Sequence, residues 1–331
     1  MRDAFGMSPS ALRNGSGTAG KLPANAIRLR LACREPFDGV AVVRFLARHE
    51  VPCLERVHGN SYTRALALEH GEGVVTLTPR RSTLDCELRL EDVRDLTPAV
   101  ARCRRLFDLD ADPVAVHAQL ADRPVIGELV RAHPGVRIPG AVDGFELAVR
   151  TILREDNSPE AARAASVRIT RRYGQPLRMT SEHVSHNFPT AAALAGAPPH
   201  TFGTDTRRAR AIHALATRVA GGELALDAGS ELDDSIDKLL DVPGIGPWVA
   251  SYIAMRFLGD PDAFLHGCRR IERALKRIGG PVESSAIATV AEGWRPWRAY
   301  AVAQLWRSLD DEDEPPDGTE AGSSSRSPGQ R

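Results

Sequence analysis

The chain has 331 residues, of which 42% are hydrophobic and 26% are charged, a composition typical of a soluble globular protein with two or three domains. Its 43 basic residues, mostly arginine, balance 43 acidic residues, so the net charge by itself indicates no polyanionic partner. Acidic residues concentrate at positions 310–314, however, which leaves the rest of the chain mildly basic. No apolar run approaches the roughly 20 residues of a membrane-spanning helix, and the first residues do not form a signal-peptide pattern. We therefore expect a soluble, cytoplasmic protein.

The five cysteines are widely spaced and form no Cys-x-x-Cys pair. This spacing argues against a zinc site and against an iron–sulfur cluster, and it does not indicate disulfides. We therefore expect no cofactor that depends on cysteine ligands. The cysteines are Cys33, Cys53, Cys86, Cys103 and Cys268.

Short strands and helices alternate in the first third of the chain. Residues 1–25 are polar and partly rich in Gly and Ser, which is typical of a disordered leader. Residues 26–31 predict a strand, and residues 37–48 predict a helix for which Asp38 is a suitable N-cap. Another helix is predicted at residues 96–107. Period-two patterning predicts strands at 62–68, 73–78 and 84–90. For residues 26–110 we predict an antiparallel sheet backed by helices.

From Pro113 onward the apolar spacing is helical, and Pro or Gly marks nearly every junction. We predict an all-helical domain over residues 111–309, and therefore an α+β fold class for the whole chain. Residues 310–331 are acidic and then rich in Ser, Gly and Pro, which predicts a disordered tail. The predicted helices cover residues 114–121, 125–132, 144–153, 159–173, 190–194, 206–220, 235–240, 247–258, 269–278 and 294–309.

Residues 235–258 combine two helical segments with a Pro-Gly-Ile-Gly turn. The second helix is expected to begin near Pro247, because a proline is tolerated where the first N–H has no intrahelical partner. The two glycines allow a sharp turn, and the following helix offers free N–H groups to a phosphate. This helix-hairpin-helix pattern holds a DNA backbone without reading its sequence. A plain helix–turn–helix corner is the alternative. The predicted DNA-binding residues are Val242, Gly244, Ile245 and Gly246.

Several segments, in chain order, resemble the helix-hairpin-helix DNA glycosylases, and most closely the AlkA-type 3-methyladenine DNA glycosylases. Besides the hairpin, residues 104–109 resemble the joint after the family's N-terminal domain. Residues 137–146 resemble the beginning of its helical domain, and residues 294–301 resemble its closing helix. The resemblance covers residues 26–309. Residues 2–13 resemble the last helix of an AraC-type regulator, a module that the Ada family can fuse ahead of an AlkA-type domain. A disordered leader is the alternative.

Three aromatic residues match the aromatic residues of the AlkA cleft: Trp248, Tyr252 and Trp306. Such a cleft receives a base that has left the duplex, and electron-rich rings can attract a cationic alkylated purine. Ordinary core packing is the alternative for each ring. Relatives that use a Schiff-base lysine would carry it at Trp248, so the resemblance implies a monofunctional enzyme without lyase chemistry.

The family's catalytic aspartate is replaced in this chain. Alignment of residues 262–267 with the family motif places Cys268 at the position of the carboxylate that stabilises the oxocarbenium-like sugar and orients water. A neutral thiol does neither well, since an ordinary thiol is mostly protonated at neutral pH. The resemblance therefore implies an impaired enzyme. Asp262, six residues earlier, is a poor substitute.

A second departure lies in the turn that the family inserts into the gap left by the flipped base. Asp156 occupies this wedge position, where an acidic side chain would face phosphates and could not fill a stacking gap. The resemblance also implies a monovalent cation at the hairpin. Its expected ligands are the carbonyl oxygens of Leu240, Val242 and Ile245.

The resulting interpretation is a base-excision-repair glycosylase, an N-glycosyl hydrolase that removes N-alkylated purines such as 3-methyladenine and 7-methylguanine from DNA. Its expected partner is duplex DNA with alkylated bases, bound by a monomer in the nucleoid. Two alternatives stay open. One is a non-catalytic relative that binds damaged DNA and is linked to an adaptive alkylation response, and the other is a decaying copy without a selected role.

Overall fold

The computed structural model of the protein describes residues 26–179, 181–227 and 229–310. The leader predicted for residues 1–25, with its resemblance to a regulator helix, lies outside these residues. So does the predicted tail beyond Asp310.

The N-terminal part is a five-stranded antiparallel sheet with strand order β1-β5-β4-β3-β2. Along the β1–β5 pair, Leu29 lies opposite Cys86 and Leu31 lies opposite Leu84, so the alternating apolar residues of both strands share one face. Helices α1 and α2 cover that face. The elements are β1 (Ala26–Ala32), α1 (Gly39–Arg48), β2 (Glu55–His58), β3 (Ser61–Ala67), β4 (Glu72–Pro79), β5 (Thr83–Leu90) and α2 (Leu96–Leu106). As predicted, the side chain of Asp38 caps α1 by accepting the N–H of Ala41.

The opposite face of the sheet packs against a segment that follows the first long helices. Val184 from this segment joins Leu54, Ala65 and Val74 in a small buried cluster. Strands β3 and β4 are therefore buried on both faces, whereas β5 alternates between buried and partly exposed residues. The carboxylate of Glu72 fixes the segment by accepting two backbone N–H groups. The fold class predicted from the sequence, an antiparallel sheet followed by helices, is confirmed.

The remainder of the described chain is helical. Asp143, Ser158 and Asp205 each cap the helix that follows by accepting a backbone N–H. The helices are α3 (Pro113–Leu120), α4 (Gly127–Ala132), α5 (Gly144–Arg154), α6 (Pro159–Tyr173), α7 (Ala191–Ala195), α8 (Thr206–Ala220), α9 (Leu232–Leu240), α10 (Pro247–Ile253), α11 (Arg269–Arg277), α12 (Ser284–Glu292) and α13 (Arg298–Asp310). A π-helical turn over Ala254–Leu258 continues α10. None of the helices in the described residues is long and apolar enough to cross a membrane.

One boundary of the helical domain differs from the prediction. Asp310, predicted as the first residue of a disordered tail, is the last residue of α13 and is only 5% exposed. Its carboxylate pairs with Arg48 and Arg270, which compensates the burial of an acidic side chain. These ion-pair partners come from distant segments, so the local acidic composition gives no indication of them.

Candidate active site

The hairpin between α9 and α10 is a tight turn, which is fixed by a backbone hydrogen bond and by two buried side chains. The N–H of Ile245 donates to the carbonyl of Val242 over 3.0 Å, and both side chains are buried in the helical core. Gly244 has a φ of +91°, and a Cβ at this position would lie 2.7 Å from the Cβ of Ala211 on α8. Only glycine fits this corner without strain, since the backbone is left-handed and the neighbouring helix is close.

The outer side of the hairpin presents unpaired donors. Among the described residues, the N–H groups of Gly244 and Gly246 have no intramolecular acceptor. Gly246 is the N-cap of α10, no side chain caps this helix, and Pro247 occupies its first turn. The corner therefore offers backbone N–H groups at the positive end of a helix dipole, an arrangement that suits a phosphate.

The three aromatic residues expected from the family form a continuous row. The rings of Trp248 and Tyr252 stack with centroids 5.2 Å apart, and the rings of Tyr252 and Trp306 are 6.0 Å apart. Phe45 extends the row, because its ring lies 5.5 Å from that of Trp306. His49 follows at 4.3 Å from Phe45. Helix α1 of the sheet domain thus contributes two rings to a cleft otherwise built by α10 and α13.

Two arginines reach the hydroxyl of Tyr252. Nη1 of Arg256 donates to it over 3.0 Å, and Nη1 of Arg154 lies 3.4 Å away. Arg256 is only 8% exposed and is anchored by the carbonyl oxygens of Pro139 and Gly140. Its guanidinium lies over the Phe45 ring at 4.7 Å and over the Tyr252 ring at 5.2 Å. One face of each of these rings is therefore covered by a protein cation.

These two guanidinium groups are not neutralised. Neither Arg154 nor Arg256 forms an ion pair with a carboxylate in the described part of the chain. A second cation about 5–9 Å from one of them would be repelled by about 2–3 kcal/mol at an effective dielectric constant of about 20. A cation–π contact contributes about 0.5–2 kcal/mol. These two charges therefore oppose part of the attraction that the rings offer to a cationic base.

The arginines also change the acidity of their neighbours. Burial by itself would raise the pKa of Tyr252, but Arg256 and Arg154 outweigh it and lower the pKa below its usual value. Burial, and then Arg154, hold the pKa of His49 well below its usual value of 6.5. His49 is therefore a neutral imidazole at neutral pH.

Cys268 lies at the N-terminus of α11, beside the aromatic row. Its carbonyl accepts the N–H groups of Ile271 and Glu272, and its half-buried side chain packs against the helical core. A charge on its sulfur would raise the pKa of Tyr252, the weakest of the influences on that hydroxyl after burial and the two arginines. The position predicted for the catalytic carboxylate is thus next to the cleft, with a thiol in place of an acid.

Other carboxylates in this region are engaged elsewhere. Asp262 pairs with Arg295 and, over 2.9 Å, with Arg298, so it fixes the segment before α13. Asp310 is buried between Arg48 and Arg270, and its negative charge is compensated there. Neither carboxylate has the freedom expected of a group that faces a sugar.

The wedge turn lies between the cleft and the hairpin. Arg154, the last residue of α5, points into the cleft, whereas Glu155 lies beside the hairpin, 3.8 Å from where a Cβ of Gly246 would be. Glu155 also pairs with Arg207 over 3.3 Å. Asp156 is exposed at the tip of the turn with a φ of +49°. The wedge position, the cleft and the hairpin therefore share one side of the molecule.

A buried charge network joins the sheet to α5 beneath this cleft. Glu146 accepts from Arg64 over 2.8 Å and from Arg150 over 2.7 Å, and Arg150 also pairs with Glu55 over 2.7 Å. The hydroxyl of Tyr62 donates to Glu55. Every charge in this set has an opposite partner, which is the condition for burying ions without a large penalty.

Sequence reasoning missed four side chains of the cleft: Phe45, His49, Arg154 and Arg256. Phe45 and His49 are four residues apart, so they share one face of α1. Nothing in the local sequence shows that this face contacts the helical domain and not the sheet. Arg154 and Arg256 carry no local signal, because arginine makes up most of the 43 basic residues of the chain.

Both the sequence and the fold are similar to those of known proteins. The sequence model of the AlkA N-terminal domain matches residues 28–143. The probable bifunctional transcriptional activator/DNA repair enzyme AlkA of Mycobacterium tuberculosis is 41% identical over 301 residues, which are 91% of this chain. This chain spans 60% of the length of that relative. DNA-3-methyladenine glycosylase 2 of Escherichia coli is 35% identical over 280 residues, 82% of this chain and 94% of the relative.

Two solved structures have the same fold. The 3-methyladenine DNA glycosylase from Archaeoglobus fulgidus superposes with a TM-score of 0.73 at 18% identity, covering 86% of this chain and 98% of that chain. The 8-oxoguanine glycosylase/lyase of Clostridium acetobutylicum, in complex with double-stranded DNA, gives a TM-score of 0.67 at 17% identity, covering 88% and 97%. Taken with the sequence identities, these comparisons confirm the resemblance, and the chain belongs to the AlkA family of DNA-3-methyladenine glycosylases.

Proposed function

We propose that this protein is a monofunctional DNA glycosylase. It holds the backbone of duplex DNA at the hairpin, receives a flipped purine in the cleft, and hydrolyses the bond between base and sugar. One observation carries the proposal: α10 begins beside the unpaired N–H of Gly246 and carries Trp248 and Tyr252 within two turns. A strand held at the hairpin therefore lies within reach of the stacked rings.

The substrates we propose are N-alkylated purines in DNA, including 3-methyladenine and 7-methylguanine. The name of the Escherichia coli relative supports the first, since that protein is DNA-3-methyladenine glycosylase 2. The protein would act as a monomer in base-excision repair. The activator function in the name of the mycobacterial relative is not part of the proposal, because this chain spans 60% of that relative.

The excision step should be slow, because Cys268 stands where the family has its carboxylate. Loss of one major electrostatic stabiliser typically lowers a rate by about 10²–10³ and does not abolish it. Cationic lesions have an already weakened glycosidic bond, so some release should persist. Asp156 adds a second handicap, since an exposed acid at the wedge cannot fill the gap in the base stack.

A second function, in which the protein binds damaged DNA without excising a base, is favoured by the same cysteine. The hairpin and the aromatic row would then serve recognition alone. This alternative predicts tight binding to alkylated duplex and no release of free base.

Single-turnover release of 3-methyladenine and 7-methylguanine from alkylated duplex separates the two functions. We expect the wild type to release base above the spontaneous rate without breaking the strand. Trp248→Ala should lower release by about tenfold, since a stacking platform contributes about 1–3 kcal/mol. The matched control is Trp297→Ala, which should leave release unchanged. Trp297 is half-buried and contacts Tyr300 in an edge-to-face arrangement outside the aromatic row. Binding without release supports the second function, and failure to bind DNA contradicts both.

The proposal includes a monovalent cation at the carbonyl oxygens of Leu240, Val242 and Ile245. Uncharged carbonyl oxygens at the C-terminal end of a helix and on the turn that follows it suit such an ion. The Val242 carbonyl already accepts one N–H, from Ile245, and has a second lone pair available. Replacing potassium by a bulky organic cation at constant ionic strength should weaken DNA binding if the ion bridges the hairpin to a phosphate.

A further inference from the structure

A cavity of about 80 Å³ lies beside Tyr252, where the sheet domain meets α5 and α6. One water molecule needs only about 10–15 Å³ of such space, so the cavity has room for a small polyatomic ion. The side chains that line it are unusually rich in positive charge. Six of them are arginines: Arg48, Arg64, Arg150, Arg154, Arg163 and Arg256.

Four of these arginines are compensated by carboxylates. Two of the carboxylates, those of Glu55 and Glu146, line the cavity themselves, and the other two lie behind its wall. The pairs are Arg64 and Arg150 with Glu55 and Glu146, Arg48 with Asp310, and Arg163 with Glu50. The negative charges near the cavity are therefore already engaged.

The remaining two arginines, Arg154 and Arg256, have no carboxylate partner among the described residues. Both contact the hydroxyl oxygen of Tyr252, over 3.4 Å and 3.0 Å, so their positive charges are close neighbours. Burial lowers the pKa of Arg256, and repulsion from Arg150 and Arg154 lowers it further. Charged side chains inside proteins are almost always paired with an opposite charge. An anion bound in the cavity would compensate both groups.

Arg154 has donors to offer to such an anion. Its contacts with His49 and with the Tyr252 hydroxyl are both made by Nη1. Nη2 and Nε have no acceptor in the described part of the chain, and neither atom is enclosed by protein. Two N–H groups of a guanidinium match two oxygens of a phosphate. The donors of Arg256 bond two carbonyl oxygens and the same hydroxyl, so Arg256 contributes its charge.

We infer that this cavity is a binding site for a small oxyanion of the phosphate type, which Arg154 binds through its free donors and Arg256 attracts by its charge. Two sources share this chemistry: inorganic phosphate in solution, and a phosphate group of a DNA backbone. The site goes beyond the proposed glycosylase function and does not depend on it.

The test measures the melting temperature while inorganic phosphate replaces chloride at constant pH and ionic strength. A ligand that binds the folded state raises the melting temperature with a saturable dependence on its concentration. Phosphate also stabilises proteins because it is excluded from their surfaces, but that effect does not saturate and should be equal in all variants. We expect a saturable rise for the wild type. Arg154→Gln should weaken the apparent phosphate affinity by about tenfold or more, because it removes a charge-assisted hydrogen bond.

The matched control is Arg168→Gln, which removes the same charge from an exposed position of α6 outside the cavity. This variant should bind phosphate as tightly as the wild type. If the rise in the wild type does not saturate, or if Arg154→Gln shows the same saturable rise, the inference is overturned.

Competition with duplex DNA identifies the source of the oxyanion. If the site takes a backbone phosphate, inorganic phosphate at constant ionic strength should weaken DNA binding by the wild type and not by Arg154→Gln. If the site takes the free ion, phosphate should leave the DNA affinity of both proteins unchanged. Either result, together with the saturable rise, supports the oxyanion site.

Equilibrium dialysis with labelled inorganic phosphate keeps the inference testable if Arg154→Gln does not fold. We expect the wild type to retain one phosphate per chain, and sulfate to displace it. Arg154→Lys, which keeps the charge but not the planar fork, should bind phosphate more weakly. No retention by the wild type, or equal retention by Arg154→Lys, would show that the cavity holds only water.

Discussion

The imidazole of His49 accepts a hydrogen bond from the guanidinium of Arg154. The assignment follows from the other ring nitrogen: Nδ1 lies 2.6 Å from the carbonyl oxygen of Phe45, which cannot donate, so Nδ1 carries the proton. Burial and the nearby arginines hold the pKa of His49 well below 6.5. A proton on Nε2 would remove the acceptor and place two cations side by side.

This relationship predicts a pH dependence of stability. As the pH falls below about 6.5, an unfolded chain binds a proton at His49 that the folded chain does not. The free energy of unfolding of the wild type should therefore fall, relative to His49→Gln, by about 1.4 kcal/mol per pH unit until the folded pKa is reached. Above about pH 7 the difference should be constant.

Urea unfolding of both proteins across this pH range measures the difference. Burial raises the pKa of Asp108 from 3.8 to about 6, which has the opposite effect on stability. The contribution of Asp108 to stability is lost as the pH rises from 3.8 to about 6. Because Asp108 is present in both proteins, its contribution cancels. Parallel curves for the two proteins would show that His49 is not held neutral.

Gly246→Asp should weaken DNA binding. The new carboxylate would stand at the helix N-terminus beside Glu155, where the proposed phosphate lies, and the nearest neighbour of the added Cβ, at 3.8 Å, leaves room for it. We expect a loss of about tenfold in affinity at low salt and a shallower salt dependence. Gly196→Asp adds the same charge to an exposed helix end without a clash and is the control. Equal affinities for both variants, measured by fluorescence anisotropy, would remove the hairpin from the interface.

Gly244→Ala should destabilise the protein more than Gly222→Ala. Both glycines have positive φ, of +91° and +74°, so alanine costs about 1–2 kcal/mol at either position. At Gly244 the added methyl would also meet Ala211 at 2.7 Å, whereas nothing lies within 4 Å of the Cβ position at Gly222. Thermal unfolding should therefore show a gap of at least about 1 kcal/mol between the two variants. No gap would mean that α8 yields easily beneath the hairpin.

Glu146→Ala should be severely destabilising. It would leave the buried Arg64 without its closest ion-pair partner and remove one of the two carboxylates that pair with Arg150. Breaking such a pair costs about 3–5 kcal/mol. The control is Glu87→Ala on the solvent side of β5, whose exposed pair with Arg28 should contribute no more than about 1 kcal/mol. Similar losses in urea unfolding would show that water reaches the network.

Much of the fold could be predicted from local patterns. Alternating residues gave β1, β3, β4 and β5, and apolar spacing gave most helices to within a few residues. Strand β2 was missed because its buried residue is Glu55, which is satisfied by Arg64 and Arg150 from outside the strand. The helix over Ser284–Glu292 was missed because its sequence is rich in small and β-branched residues without a clear stripe.

The site could be predicted only where its residues are close in sequence or match the family. Trp248 and Tyr252 are four residues apart, and Trp306 and Cys268 followed from the resemblance. The two arginines that set the charge of the cleft could not be predicted. Their roles depend on α5 and the π-helical turn meeting at the Tyr252 hydroxyl, a contact between residues 98 positions apart for Arg154.

We propose that a thiol has replaced the carboxylate of a glycosylase that retains its hairpin and its aromatic row. The most direct measurement is single-turnover release of 7-methylguanine by the wild type, Cys268→Asp and the uncharged Cys268→Asn. We expect Cys268→Asp to release base faster than the wild type by about 10²–10³, and Cys268→Asn not to be faster than the wild type. If the wild type released base as fast as Cys268→Asp, the thiol would serve as well as a carboxylate and the proposal would be wrong.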